Sequence, residues 1–417
     1  MTINCDIVVV GAGPVGTVFS YIAAKKGLNV LTLDRKNEIA SPLRGGEAVS
    51  KFLFESMYEE LPFLEKLYKW MIEDTIIYNP ISKIISREDK WISFMLNRKE
   101  AEKTIAQEAI NAGTEIMLGA TVTGLTFENN KIKEIKAKTI SGDIKIKPKI
   151  VVGADGATSI IRRKIIENNN YQGIKDWGCA IELEVTNLNL DFENTMQLFM
   201  GDVTGGYAYI FPKGNDRADV GVGARPYYSK KPIKEKSPLL SFYEILESNK
   251  IMNRQLKDSS PLEIKGGIID LSYPLYPVYG NTILIGDSAN QNFSYVGEGI
   301  IPGWQAAIIA GYTVSEAFEK RNLNILKKYP EEYENSFIGK EAKKTVEIKD
   351  NISKILGMHL DKNIETILTS MLELEIVDGN VKEELDSVLK YKNEEELLDY
   401  ANKLIEKKDL KIDITPI

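Results

Sequence analysis

The run "DIVVVGAGPVGTVFSYIAAKKGLNVLTLDRK", residues 6–36, constrains this chain more than any other stretch. Ile7 to Val10 are continuously apolar, as suits a parallel strand covered on both faces. Gly11-Ala12-Gly13-Pro14-Val15-Gly16 ends that strand, a helical pattern runs to Ala24, and Gly27 closes it. Val30 to Leu33 then predict a second strand ending at Asp34. In such a βαβ unit Gly11 permits the tight turn, Gly13 lets backbone approach a pyrophosphate, and Gly16 allows close helix–strand packing. Asp34 has the spacing of a ribose-binding acid. An acid rather than an arginine there disfavours a 2′-phosphate, which leaves FAD or NAD. The alternative is a glycine-rich turn in an unrelated α/β domain.

Two later stretches repeat the plan of a strand ending beside glycine and aspartate. "KIVVGADGATSIIRR" predicts a strand over Ile150 to Val152, then Asp155 and a helix carrying Arg162 and Arg163. "NTILIGDSANQ" runs a strand into Gly286-Asp287. Each aspartate is placed to meet sugar or ribityl hydroxyls, although either segment alone is also an ordinary turn. Soon afterwards comes "YVGEGIIPGWQAA", residues 295–307. Gly297 and Gly299 permit close backbone approach, and Pro302 is tolerated only near a helix start. The segment predicts a helix N-terminus offered bare to a partner, with Gly299 and Ile300 supplying free donors.

Composition removes several other classes. Among 417 residues there are 53 Lys and Arg against 60 Asp and Glu, a net charge of -7, so a nucleic-acid partner is not expected. With a single histidine, His359, a multi-histidine metal site or a Ser-His-Asp mechanism would hang on one unsupported residue, and two cysteines are too few for a cysteine-based metal site. No metal is expected. No apolar run reaches the ~18 residues of a membrane span, and the N-terminus enters a strand without a signal-peptide pattern. These features predict a cytoplasmic protein, with peripheral contact at the inner face of the cell membrane as an option.

The three motifs in this order resemble the FAD fold shared by aromatic hydroxylases, flavin halogenases and geranylgeranyl reductases, over Met1 to about Arg321. The resemblance implies FAD, with the "GEGII" segment beside the isoalloxazine and the next helix pointing its N-terminus at the pyrimidine edge. It implies that Arg98 packs near the pyrophosphate, unless it is only a surface charge starting a helix. Val122 falls where the family's backbone contacts adenine. "GGYAYIFPKG" is similar to the Tyr-x-Trp-x-Phe-Pro motif of geranylgeranyl reductases, with Tyr207, Tyr209, Phe211 and Pro212 at matching places and Tyr209 replacing tryptophan. Alternating aromatics on a strand share one face, which suits an isoprenoid chain and equally an ordinary core. "SPLRGGEAVS" resembles the Arg-Cys-x-Glu-Gly segment of archaeal digeranylgeranylglycerophospholipid reductases. This implies that Arg44, Gly45, Gly46 and Ala48 lie close to the flavin, with Gly45 in place of the family cysteine. Glu298 replaces a more usual glycine; a carboxyl beside an apolar pocket can serve as a proton donor, the other reading being a solvated loop residue.

The expected fold is therefore α/β: a Rossmann-like FAD-binding domain (1–75, 98–172, 275–321), an antiparallel-sheet substrate domain (76–97, 173–274) and a helical C-terminal region (322–417). The resemblance implies an FAD-dependent reductase of geranylgeranyl double bonds, with hydride from flavin N5 and an isoprenoid lipid substrate in an apolar tunnel. Arg225, Lys230, Lys231, Lys234 and Lys236 are either the mouth of that tunnel or a solvated loop. An FAD-dependent aromatic monooxygenase is the main alternative, and an electron-transfer flavin subunit a further one. No second dinucleotide fingerprint is present, so ferredoxin, a deazaflavin or NAD(P)H remain equal as electron donor. Oligomeric state is not legible.

Overall fold

The computed structural model describes residues 2–78, 83–86, 92–169, 177–200, 203, 206–224, 238–272, 274–356 and 412–413. The first sheet runs in the order Val278–Tyr279, Thr282–Leu284, Gly142–Gly153, Thr2–Val10, Val30–Leu33, Glu115–Met117. The four pairings from Thr282–Leu284 to Glu115–Met117 are all parallel. Ile7, Val8 and Val9 are fully buried because helices cover one face and a second apolar layer the other. Lys131–Thr139 branches off antiparallel to Gly142–Gly153, and Thr121–Glu128 pairs antiparallel with Lys131–Thr139 in turn. Asn129 and Asn130, both at positive φ, make their two-residue turn.

Register decides where the motifs emerge. Val10 is paired with Leu33 on one side and Gly153 on the other, and Gly153 with Leu284. Four adjacent strands thus end in one row, and Gly11, Asp34, Asp155 and Asp287 follow them onto one edge. That carboxyl edge is where open α/β sheets bind ligands.

Helix Pro14–Lys25 covers this sheet and packs against Arg98–Asn111 and Ile300–Glu319. The contact with Ile300–Glu319 is close because two glycines face it. A Cβ on Gly303 would overlap Val15, and one on Gly311 would lie 2.5 Å from Ile22. Trp304, 1% exposed, fixes the register by donating its indole N–H to the Pro14 carbonyl at 3.2 Å.

The second sheet has the order Ser260–Asp270, Trp177–Thr186, Arg217–Ala224, Gly206–Gly214, Thr195–Met200, Asp74–Tyr78, Lys83–Ser86, Ile412–Asp413. It is not wholly antiparallel, since Thr195–Met200 and Asp74–Tyr78 run parallel. One face carries an apolar core including Phe199, Ile210, Val220, Val222 and Phe242. A three-stranded sheet of Ala48–Ser50, Ser93–Leu96 and Tyr68–Ile72 contributes Ile72 and Met95 to the other face, against Tyr209 and Phe211.

Beyond Asn322 the described chain is helical over Tyr329–Asn335 and Phe337–Leu356, and Ile412–Asp413 adds a strand. Residues 357–411 of the expected helical C-terminal region, His359 among them, and the basic run from Arg225 to Lys236 lie outside the described residues. No helix among the described residues is long and apolar enough to cross a membrane.

The helix contact gives a direct test. Gly311→Val is expected to lower stability by about 1–3 kcal/mol through overpacking against Ile22, read as a lower urea midpoint at unchanged m-value.

Candidate active site

The three glycines of the first turn have different surroundings. Gly11 has φ of 109°, and a Cβ there would overlap the Ala154 carbonyl. A Cβ on Gly16 would overlap the Gly11 carbonyl. Gly13, the N-cap of helix Pro14–Lys25, has nothing within 4 Å of its Cβ position. Two glycines therefore close the turn and the third leaves open space at a helix N-terminus, the arrangement that accepts a phosphate. Val15 locks the turn to the far motif, lying 3.1 Å from a Cβ placed on Gly286.

The three aspartates also differ. Asp34, 5% exposed, accepts from the Ala12 and Lys36 N–H groups, each at 2.8 Å. Its carbonyl accepts from Ala120 at 2.8 Å, which ties the hairpin strand bearing the buried Val122 to this end of the crevice. Asp155 caps a helix: it accepts from Ser159 Oγ at 2.5 Å and Ile160 N–H at 2.6 Å, and burial raises its pKa. Asp287 is different again. Its Oδ1 is buried with no hydrogen-bond partner among the described residues and lies 2.9 Å from the Cβ position of Gly299. Burial raises its pKa too. An orphaned carboxylate oxygen facing a glycine, with an open glycine cradle across the crevice, fits a polyhydroxylated diphosphate ligand such as FAD.

The turn carrying Asp287 is held from the C-terminal helices. Gln291 Oε1 accepts from Gly286 N–H at 2.9 Å, and Gln291 Nε2 donates to the buried Tyr329 hydroxyl at 2.8 Å.

Arg98 is buried rather than a surface charge. It bonds Glu102 through Nε at 3.0 Å and NH2 at 2.6 Å, while NH1 donates to the carbonyls of Arg44, Gly45 and Gly46 at 2.7, 3.2 and 3.3 Å. It thus gathers the segment that begins with Arg44, where Gly45 sits at φ of 86° and Ala48 starts a strand.

The start of helix Ile300–Glu319 corrects the expectation of bare donors. Glu298 Oε1 accepts from the N–H groups of Ile300 at 2.6 Å and Ile301 at 2.9 Å. The carboxylate occupies the positive end of the helix, and is neither bare helix nor a solvated loop group. Burial nevertheless outweighs those two bonds and pushes the Glu298 pKa up to about 7.

Tyr207, Tyr209 and Phe211 share one face of their strand, with Tyr209 and Phe211 stacked at 4.3 Å. Pro212 alternates onto the opposite face. The Tyr207 hydroxyl donates to the Val296 carbonyl at 3.1 Å, joining this strand to the glycine-rich segment. Ile72 and Met95 pack on Tyr209 and Phe211, so the inner part of the aromatic face is filled with side chains.

Sequence reading missed a buried charge cluster beside Tyr209. Lys265 Nζ, fully buried, meets Glu47 at 2.8 Å and Glu182 and Asp219 each at 3.0 Å. Lys213 Nζ meets Glu47 at 2.6 Å, Glu184 at 3.0 Å and Asp219 at 3.5 Å. The Tyr209 hydroxyl donates to Glu182 at 2.7 Å. The available signal was charge at alternate positions inside apolar strands, as in "IELEV".

Glu298 sets a pH dependence. Its folded pKa lies above the ordinary 4.5, so the folded cofactor-free protein binds the proton more tightly than the unfolded chain. The associated stability is complete below about pH 4.5 and is lost as pH rises through about 7, of order 1–3 kcal/mol. Glu298→Gln is expected to flatten this part of the urea-stability profile between those values.

A family profile described as "FAD binding domain" matches residues 4–236. The digeranylgeranylglycerophospholipid reductase of Methanocaldococcus jannaschii is 31% identical over 75% of this chain and 78% of its own length. Digeranylgeranylglycerophospholipid reductase 1 of Methanococcoides burtonii is 30% identical over 85% of this chain and 86% of its own. The crystal structure of a geranylgeranyl bacteriochlorophyll reductase-like protein from Thermoplasma acidophilum superposes with a TM-score of 0.75 at 20% identity, covering 98% of this chain and 99% of that one. It shares the fold described above. With the glycine cradle, the orphaned Asp287 and these relatives together, the chain belongs to the FAD-binding flavoproteins, in the digeranylgeranylglycerophospholipid reductase family.

Proposed function

We propose that this protein is an FAD-dependent reductase that saturates isoprenoid C=C bonds of geranylgeranyl chains, in precursors of archaeal ether lipids. The observation that carries the reading is the tie between the aromatic strand and the glycine-rich segment through Tyr207 and Val296. It sets an apolar face beside the crevice where FAD fits. We assign 1–75, 98–172 and 275–321 to cofactor binding, 76–97 and 173–274 to substrate binding, and 322–417 to a helical C-terminal region.

Bound FAD supplies a hydride from N5 of its reduced flavin. The chain's own residues bind, orient and exclude water. Gly11, Gly13, Val15 and Gly16 hold the pyrophosphate end, with Asp34 and Val122 toward the adenosine. Asp155 and Asp287 serve the sugar-alcohol chain, the orphaned Oδ1 of Asp287 being the acceptor available to a hydroxyl. Arg98 holds Arg44, Gly45, Gly46 and Ala48 against the flavin. Gly299 and Ile300 would present backbone donors to its pyrimidine edge once the Glu298 carboxylate turned away from the helix end. Gly45 contributes no thiol, so Glu298 and Tyr209 are the acid groups of the site. Of the aromatic strand, Tyr207 borders the lipid path, while Tyr209 and Phe211, covered by Ile72 and Met95, and Pro212 on the opposite face support it from behind. The donor of electrons is a ferredoxin, a deazaflavin or NAD(P)H. We place the protein in the cytoplasm, in peripheral contact with the membrane that holds its substrate.

The deciding experiment is anaerobic. Flavoprotein reduced with dithionite and mixed with a geranylgeranylated glycerol phospholipid is expected to reoxidise, and the lipid to gain two mass units per bond reduced. Flavin that stays reduced until air is admitted overturns the reading and favours a monooxygenase. Separately, Gly13→Ala has room for its methyl group, since no protein atom lies within 4 Å of that Cβ position. It is expected to fold normally yet to bind FAD at least about tenfold more weakly, ~1.4 kcal/mol, in a flavin-fluorescence titration.

A further inference from the structure

The helix Ile300–Glu319 is capped in an unusual way. A capping acceptor ordinarily belongs to the N-cap residue itself. Here the N-cap is Gly299, and a Cβ at that position would lie 2.9 Å from Asp287 Oδ1, so no capping side chain fits there. The acceptor comes instead from the residue before it, and both bonds, from the Ile300 and Ile301 N–H groups, fall on the single oxygen Oε1 of Glu298. The main chain of Glu298 is pinned. Phe293 and Glu298 form an antiparallel bridge, in which Phe293 N–H donates to the Glu298 carbonyl and Gly297 N–H to the Phe293 carbonyl, each at 2.8 Å. Gly297, at φ of 74°, lets the loop close this tightly. Only the Glu298 side chain is therefore free to change place.

Three titratable or charged groups face that side chain. Burial opposes its charge most, and the Ile301 and Ile300 N–H groups favour it; Asp287, in the turn after Thr282–Leu284, adds to the opposition, and Arg98, on helix Arg98–Asn111, to the support. Arg98 is already committed to Glu102 and to the carbonyls of Arg44, Gly45 and Gly46. The third group is Tyr333, on helix Tyr329–Asn335. It is 5% exposed, and its hydroxyl has no hydrogen-bond partner among the described residues. Burial, then the charge of Glu298, raises its pKa. A buried hydroxyl without a partner is destabilising, and Glu298 is the acceptor whose charge is felt there. Away from the helix end, the Glu298 carboxyl loses two donors and keeps Asp287 as a neighbour. Both changes favour its neutral form. A neutral carboxyl can still accept from the Tyr333 hydroxyl through its carbonyl oxygen.

We propose that Glu298 is a displaceable cap on the flavin's end of this helix, and that FAD binding drives its carboxyl off Ile300 and Ile301 toward the Tyr333 hydroxyl. The carboxyl leaves as a neutral acid, so the chain takes up one proton with each cofactor. The proposal rests on the reading that FAD occupies this crevice with its flavin at this helix end. An acceptor on the flavin's pyrimidine edge takes the Ile300 donor in place of the carboxylate. The proton comes from solvent and stays on Glu298; no bond of the cofactor changes and no electron moves. The sign follows from linkage. Displacement raises the Glu298 pKa above its value on the helix, so FAD affinity is complete at low pH and declines as pH rises through the range where the capping carboxylate ionises. Cofactor loading also gives the Tyr333 hydroxyl its partner.

The test titrates the full chain, freed of flavin, with FAD in a calorimeter, using buffers of different ionisation enthalpy to count protons. About one proton per FAD is expected to be taken up at about pH 8 and almost none at about pH 5.5, where Glu298, with a pKa of about 7, is already neutral. The FAD dissociation constant is expected to be level below about pH 7 and to rise about tenfold per pH unit above it. Glu298→Gln keeps a neutral acceptor of the same shape; it is expected to bind FAD without proton uptake and with an affinity level across this range. Tyr333→Phe is expected to keep the uptake and to bind FAD about two- to tenfold more weakly. Wild-type binding without uptake at about pH 8 overturns the proposal. Uptake that persists in Glu298→Gln overturns it as well, since the proton then belongs to another group such as Asp287. Undiminished FAD affinity in Tyr333→Phe overturns the place given to the displaced carboxyl. If Glu298→Gln does not fold, the pH course of the wild-type uptake still decides. A wild-type chain that binds no FAD at any pH overturns the cofactor reading itself, an outcome distinct from FAD binding without a proton.

Discussion

Everything at the crevice depends on one register. Because Val10, Leu33, Gly153 and Leu284 stand in one row across parallel strands, segments nearly 300 residues apart discharge their glycines and aspartates at one edge. Close contact of the two helices behind the sheet holds that row in place. Val15 wedges between the Gly286 and Gly303 positions, and Trp304 bonds Pro14. A side chain at either glycine pushes on Val15, and through it on the phosphate turn. Packing behind the sheet and geometry in front of it are the same constraint.

The second sheet makes a different trade. Its core face is conventionally apolar, whereas the face beneath the Arg44–Glu47 segment buries carboxylates and ammonium groups. Desolvating such charges costs several kcal/mol each, and mutual attraction returns this only when geometry is good and partners are complete. Here each lysine has three carboxylate partners. Removing one lysine strands several carboxylates at once, so the cluster behaves as a unit.

Much of the fold was legible in sequence because it rests on local signals. The βαβ unit combines a short apolar run, a glycine turn and a helical period, and the observed strand Val30–Leu33 coincides with the expected one. The Asn129-Asn130 turn is local as well. The charge cluster was not legible because Glu47, Glu182, Lys213, Asp219 and Lys265 meet only through strand pairing. No spacing in the chain encodes that meeting. Likewise the sequence placed Glu298 beside a helix start, but its carboxylate satisfying two donors of that helix is a matter of side-chain conformation. The three motif aspartates read alike as letters, yet one caps a helix and another has an orphaned oxygen, which depends on what each neighbouring loop leaves unfilled.

Gln291 reaches in two directions, accepting from Gly286 in the aspartate turn and donating to Tyr329 beyond the motif-bearing chain. The cofactor edge and the C-terminal helices therefore share a residue that cannot relax toward one without releasing the other. Thermodynamic reciprocity follows. Whatever factor a displaced C-terminal region takes from FAD affinity, FAD binding returns to the docking of that region. Cofactor binding at the Asp287 turn and the seating of helix Tyr329–Asn335 therefore favour each other.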